Sequence, residues 1–209
     1  MSTARKNGST SPGRVRQREA TIRRATESAE ALLTEGASFA DLSVEQVISR
    51  AGIARSTFYS HFDDLGHLLR SLCEGVITEM ITAARLWFEH DDGITRDELG
   101  SALAAVVKTY RGREKLFAAM AEASTTDPVV REEFHRMLTA GHTELTRHIK
   151  AGQAKGFVRS DVDPNPTAGW LTWMLERGLY QQVRLANPRQ VNRHTRALTE
   201  IVWQTLYAV

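Results

Sequence analysis

Apolar residues recur at helical spacing along almost the whole chain, and no segment alternates apolar and polar residues for long. Ile22, Ala25, Ala29, Leu32 and Leu33 mark a first helix, which Gly36 ends. Ser43 followed by Gln46 predicts a capping box for a short helix over 43–50 that carries Val44, Val47 and Ile48. Another short helix is expected over 54–61. Asp63 and Asp64 are placed to cap a long helix reaching about residue 89, with Leu65, Leu68, Leu69, Leu72, Val76, Met80 and Ile81 inside. Asp91, Asp92 and Gly93 break the pattern, and helices follow near 95–110, 113–124, 128–155, 166–186 and 189–207. Pro128, Pro164, Pro166 and Pro188 fall at helix starts, where the missing N–H costs little. The run 156–162 comes nearest to a strand, but it is short and bounded by Gly and Pro, and it reads as a loop. The expected fold is all-α with about nine helices. A disordered arm over 1–14 precedes a three-helix unit over 15–62 and a helical body over 63–209.

Composition changes this picture little, but charge changes it more. A chain of 209 residues can bury a sizeable core without disulfides, and the single cysteine, Cys73, excludes an intrachain one. A polar N-terminus without an apolar central region and the absence of a long apolar run point to a cytoplasmic protein. Residues 1–24 hold seven basic residues against one acid, Glu19, for a net +6, while the other 185 carry 20 basic and 24 acidic groups, for a net −4. A basic arm on a mildly acidic body is a footprint of nucleic-acid binding, and also of a solubilising tail.

The stretch Gly-Ile-Ala-Arg-Ser-Thr-Phe-Tyr-Ser-His-Phe at 52–62 chooses between them. Gly52 can supply the positive φ of a tight turn between two helices, and Phe58 and Phe62, four apart, form an anchoring face. Arg55, Ser56 and Thr57 then occupy the exposed first turn, where a recognition helix meets base edges in the major groove. An arginine there can donate to guanine O6 and N7. Tyr59, Ser60, His61 and the capping Ser43 are candidates for phosphate or base contacts.

These residues resemble the recognition-helix signature of TetR-family transcriptional regulators, and Phe39–Gly52 resembles the part of the DNA-binding domain that precedes it. The resemblance is strong over about 18–72. The runs 173–180 and 201–209 are similar to an EthR-like subgroup. Where the family often carries a DNA-contacting lysine, three residues after the terminal Phe, this chain has Leu65. The subgroup's Asn-Glu-Arg is replaced by Leu175, Glu176 and Arg177, so that a ligand is anchored differently or is more lipophilic.

The resemblance implies a body that binds a small ligand and dimerises through its last two helices. The expected dimer stripe is Leu171, Leu175 and Leu179 on one helix with Leu198, Val202 and Leu206 on the other. The opposite side of the first, with Trp170, Trp173, Met174 and Arg177, is expected to face the ligand. So are Trp87, Leu103, Val107 and Tyr110, and further along Phe117, Met120, Phe134 and Met137. Methionines and aromatics suit a pocket for apolar molecules and equally a plain core.

No nucleophile elbow, phosphate loop, His-Glu-x-x-His or Cys-x-x-Cys motif is present, and His135, His142 and His148 lack tight metal-ligand spacing. The expectation is a non-enzyme without cofactor: a homodimeric repressor on a pseudo-palindromic operator in double-stranded DNA, released by a small lipophilic effector. The alternative is a helical carrier of lipophilic molecules with no DNA role.

Overall fold

The computed structural model describes residues 12–89 and 93–207, and all regular structure among them is helical. The helices are α1 (Pro12–Thr34), α2 (Val44–Ala51), α3 (Arg55–Tyr59), α4 (Leu65–Phe88), α5 (Arg96–Gly112), α6 (Glu114–Ala123), α7 (Pro128–Lys155), α8 (Pro164–Gly178) and α9 (Pro188–Leu206). A π-helical turn, Leu179–Val183, follows α8 directly. The chain divides within α4 into two compact units, one ending at Leu72 and the other beginning at Cys73. Most of the expected arm lies outside the described residues. Helix α1 starts at Pro12, inside the segment read as arm, since proline at a first helical position costs no hydrogen bond.

In the first unit, α1 packs on α2. Ala25, Ala29 and Leu33 of α1 are buried, as are Val47, Ala51, Phe58 and Phe62. The capping box forms as expected: Ser43 Oγ accepts from the Gln46 N–H, and Gln46 Oε1 accepts from the Ser43 N–H at 2.8 Å. Gly52 ends α2 in the left-handed region at φ 60°, a conformation that side chains with a Cβ rarely adopt. Arg24 closes the same helix end, its guanidinium donating to the Ala51 carbonyl and, at 2.9 Å, to that of Gly52. Asp64 Oδ1 accepts from the His67 N–H at 2.7 Å in the first turn of α4.

In the second unit the strongest helix packing is α7 against α8, followed by α5 against α9. Caps set the helix starts. Thr95 with Glu98 and Asn187 with Gln190 form capping boxes for α5 and α9, and Asp127 and Asp163 cap the proline starts of α7 and α8. Because Asp163 caps, α8 begins at Pro164, two residues before its expected start. The core joins Trp87, Leu99, Leu103, Leu145, Ile149 and Leu206. Each fully buried leucine among them contributes roughly 1.5–3 kcal/mol. A buried polar link crosses it: Trp87 Nε1 donates to the Tyr207 hydroxyl at 2.7 Å, and that oxygen lies 2.7 Å from His148 Nε2.

The loop reading of 156–162 holds. Gln153 Nε2 donates to the carbonyls of Arg159 and Val162 at 2.8 and 2.9 Å, which ties the segment to the end of α7. Gly152 lets it come close: a Cβ there would sit 2.3 Å from Val158 Cγ2 and 2.7 Å from Phe157 Cε2. Gly152→Ala is therefore expected to destabilise the protein by ~1–3 kcal/mol through overpacking. Urea denaturation should show a lower midpoint with an unchanged slope.

Candidate functional site

The first candidate surface is built by α2, the turn at Gly52 and α3. Helix α3 is short: Phe58 is fully buried and packs against the tilted ring of Phe62, with centroids 5.2 Å apart, which fixes its orientation. Arg55, Ser56, Tyr59 and Ser60 are exposed, and Ser43, Thr57 and His61 are half-buried. Ser60 Oγ donates to the Thr57 carbonyl at 2.7 Å, and His61 Nδ1 is enclosed without a hydrogen-bond partner. Arg55 is not idle. It pairs with Glu45 of α2, and its guanidinium lies 5.6 Å from the Tyr59 ring centroid. Elsewhere in the unit Arg50 makes a two-bond pair with Glu35, both bonds 2.6 Å, and that bond holds the Glu35 carboxyl below its usual range.

The second candidate is a cavity of about 150 Å³ inside the second unit. One wall comes from α4, with Met80, Ile81, Ala84, Trp87 and Phe88. Helices α5 and α6 supply Leu103, Val106, Tyr110 and Phe117, and α7 supplies Phe134, Met137, Leu138, Gly141, Glu144 and Leu145. The remaining wall is the stripe Leu171, Thr172, Leu175, Glu176, Leu179 and Tyr180, closed by Leu198 and Val202 of α9. Tyr110 and Phe117 stack with centroids 5.1 Å apart. Burial pushes the Tyr110 hydroxyl up to about 12 and raises the Glu176 carboxyl above its ordinary value. At the mouth of the π-helical turn, Arg184 N–H donates back to the Leu179 carbonyl at 3.0 Å, and Arg111 holds the Val183 and Arg184 carbonyls. Among the described residues no group of three His, Cys, Asp or Glu side chains could hold a metal ion, and no helix is long and apolar enough to cross a membrane.

A family model for the C-terminal domain of the transcriptional regulator EthR matches residues 99–208, more than half of the chain. The chain belongs to the EthR-like TetR-family transcriptional regulators. Solved structures show the same fold at low identity. A TetR transcriptional regulator from Chloroflexus aurantiacus superposes with TM-score 0.72 at 18% identity, covering 93% of this chain and 100% of that one. GusR from Salmonella enterica gives 0.71 at 18%, covering 95% and 98%. A TetR transcription regulator from Haloarcula marismortui gives 0.70 at 16%, covering 92% and 99%. No match was found among curated protein sequences.

For this TetR-family regulator the expected ligand and dimer stripes divide differently from the sequence reading. Trp87, Leu103, Tyr110, Phe117, Phe134 and Met137 do line the cavity. Met120 is fully buried core, and Val107 is buried beside a separate depression between α5 and α9. Met174 packs against the core, while Trp170 is 79% exposed, Trp173 48% exposed and the Arg177 side chain 61% exposed. The leucines assigned to the dimer stripe face inward instead: Leu171, Leu175, Leu179, Leu198 and Val202 line the cavity, and Leu206 is fully buried. Helix α8 has two apolar sides. The leucine side turns in and the indole side stays out.

The sequence reading missed Phe88, Thr172, Glu176 and Tyr180 in the wall. For Thr172, Glu176 and Tyr180 the signal is continuity: 171, 172, 175, 176, 179 and 180 form one stripe two residues wide. Leu175→Trp should fill part of the cavity and leave the thermal midpoint unchanged or higher. Met120→Trp, in close-packed core, should cost ~1–3 kcal/mol. Equal losses in scanning calorimetry would show that the space at Leu175 is not open.

Proposed function

We propose that this regulator is a homodimeric repressor whose operator complex is released when a small lipophilic effector occupies the cavity of the second unit. The observation that carries the reading is the cavity itself, an almost wholly apolar space walled by the second half of α4. Only five residues separate the end of α3 from the start of α4. An effector that displaces α4 would change how two recognition helices span successive major grooves, roughly 34–36 Å apart. A coupling of about 1–3 kcal/mol suffices to weaken operator binding roughly 5–150-fold.

Exposed apolar side chains support the dimer. Trp170 and Trp173 on α8 and Ile201 on α9 lie outside while the inner faces of the same helices meet the cavity. Such residues on two neighbouring helices suit a two-fold interface. Replacing both Trp170 and Trp173 by Ser should shift the protein from dimer to monomer in sedimentation velocity. An unchanged sedimentation coefficient at micromolar concentration would rule this face out.

A mobility-shift assay on DNA upstream of the protein's own gene, with native mass spectrometry of copurifying molecules, tests the whole reading. In it, Arg55→Ala should cost roughly 1–3 kcal/mol and relax preference at one base pair per half-site. Because Arg55 must exchange Glu45 for guanine, the loss should fall at the low end. An unaltered binding-site profile would mean that Arg55 only positions the helix.

A further inference from the structure

The cavity wall carries two charged side chains, Glu144 and Glu176, and no lysine, arginine or histidine. Glu144 is paired with Arg147 and is about a third exposed. Glu176 is placed differently. Its side chain is only 10% exposed, its Oε2 has no hydrogen-bond partner, and its ion pair is a loose one with Arg177 Nε at 3.7 Å, on a side chain turned to solvent. The wall holds a second orphan in Tyr110, 3% exposed, whose hydroxyl also lacks a partner. Both groups line the same cavity, Tyr110 from α5 and Glu176 from α8. Arg184 lies outside the wall: its guanidinium sits over the Tyr180 ring, 4.8 Å from the centroid, and its Nε is also buried without a hydrogen-bond partner.

Buried polar atoms without partners are costly and call for an explanation. Here both orphans are oxygens that can accept. Around them the rings of Trp87, Phe88, Tyr110, Phe117, Phe134 and Tyr180 line the space, and ring faces attract cations. A fatty acid would bring a carboxylate against two others. A neutral alcohol would leave Glu176 with only its loose pair to the solvent-turned Arg177. An ammonium head, which only donates, completes both oxygens.

We infer that the cavity takes a cationic amphiphile, an amine whose protonated nitrogen donates to Glu176 Oε2 and the Tyr110 oxygen while its apolar part lies among the aromatic rings. This specifies the ligand class of the effector site proposed above and rests on that reading. The desolvation that raises Glu176 in the free protein is offset when the cation arrives.

Isothermal titration of the full-length protein with octylamine, octanol and octanoate tests it. Octylamine should bind about tenfold or more tighter than octanol, equivalent to ~1.4 kcal/mol, with octanoate weakest. Glu176→Gln should remove the amine's advantage and leave octanol unchanged, and Tyr110→Phe should weaken the amine selectively. Should Glu176→Gln fail to fold, the wild-type series and Tyr110→Phe still decide. Octanol binding as well as octylamine, an amine affinity indifferent to Glu176, or no binding of any probe overturns the inference. A mobility shift run alongside separates the two readings. Glu176-dependent amine binding that leaves the DNA complex intact retains the ligand class and defeats the effector role. Release by octanol but not octylamine does the reverse.

Discussion

Helix α8 has two apolar sides, and its own chain can cover only one. Much of the second unit follows from which side it covers. Leu171, Leu175 and Leu179 turn inward and line a void rather than a sealed core. With Trp170 and Trp173 left outside, the same helix acquires an apolar outer face. Nearby layers show the contrast. Leu99, Leu116, Met120 and Ile149 are fully enclosed, as in an ordinary close-packed interior.

The helices were legible because their start signals are local. Capping boxes at Ser43 and Thr95, aspartates at 127 and 163, and prolines in first turns act within four residues of sequence. The recognition stretch was legible for a similar reason: Gly52, Phe58 and Phe62 do their structural work inside one turn and one short helix. The cavity was legible only in part. Periodicity identifies an apolar stripe, but not what lies against it. Two stripes on α8 competed, and large aromatic residues drew the assignment to the side that stays exposed. On α9, Leu198 and Val202 likewise line the cavity, and Leu206 is fully buried.

Charge counted along a sequence also overstates what is available on a surface. The basic N-terminal region includes Arg24, which is spent on carbonyls at the end of α2, and Arg23, which lies 3.8 Å from Glu27. Arg55, the side chain best placed to meet a base, is held by Glu45. Arg23 and Arg55 thus have their charge partly offset by a neighbouring carboxylate, so the tally of arginines overstates the unpaired positive charge of this unit.

The π-helical turn at Leu179–Val183 has an evolutionary consequence. A π turn accommodates one residue more than an α-helical turn would. Loss of a single residue there can close the π turn to an α turn. Leu171, Thr172 and Leu175 would keep their places, while Leu179 and Tyr180, within the turn, would shift. A one-residue deletion, as well as an exchange of side chains, can thus reshape this end of the cavity. Divergence in what such regulators sense can then be sought in helix length as well as in residue identity.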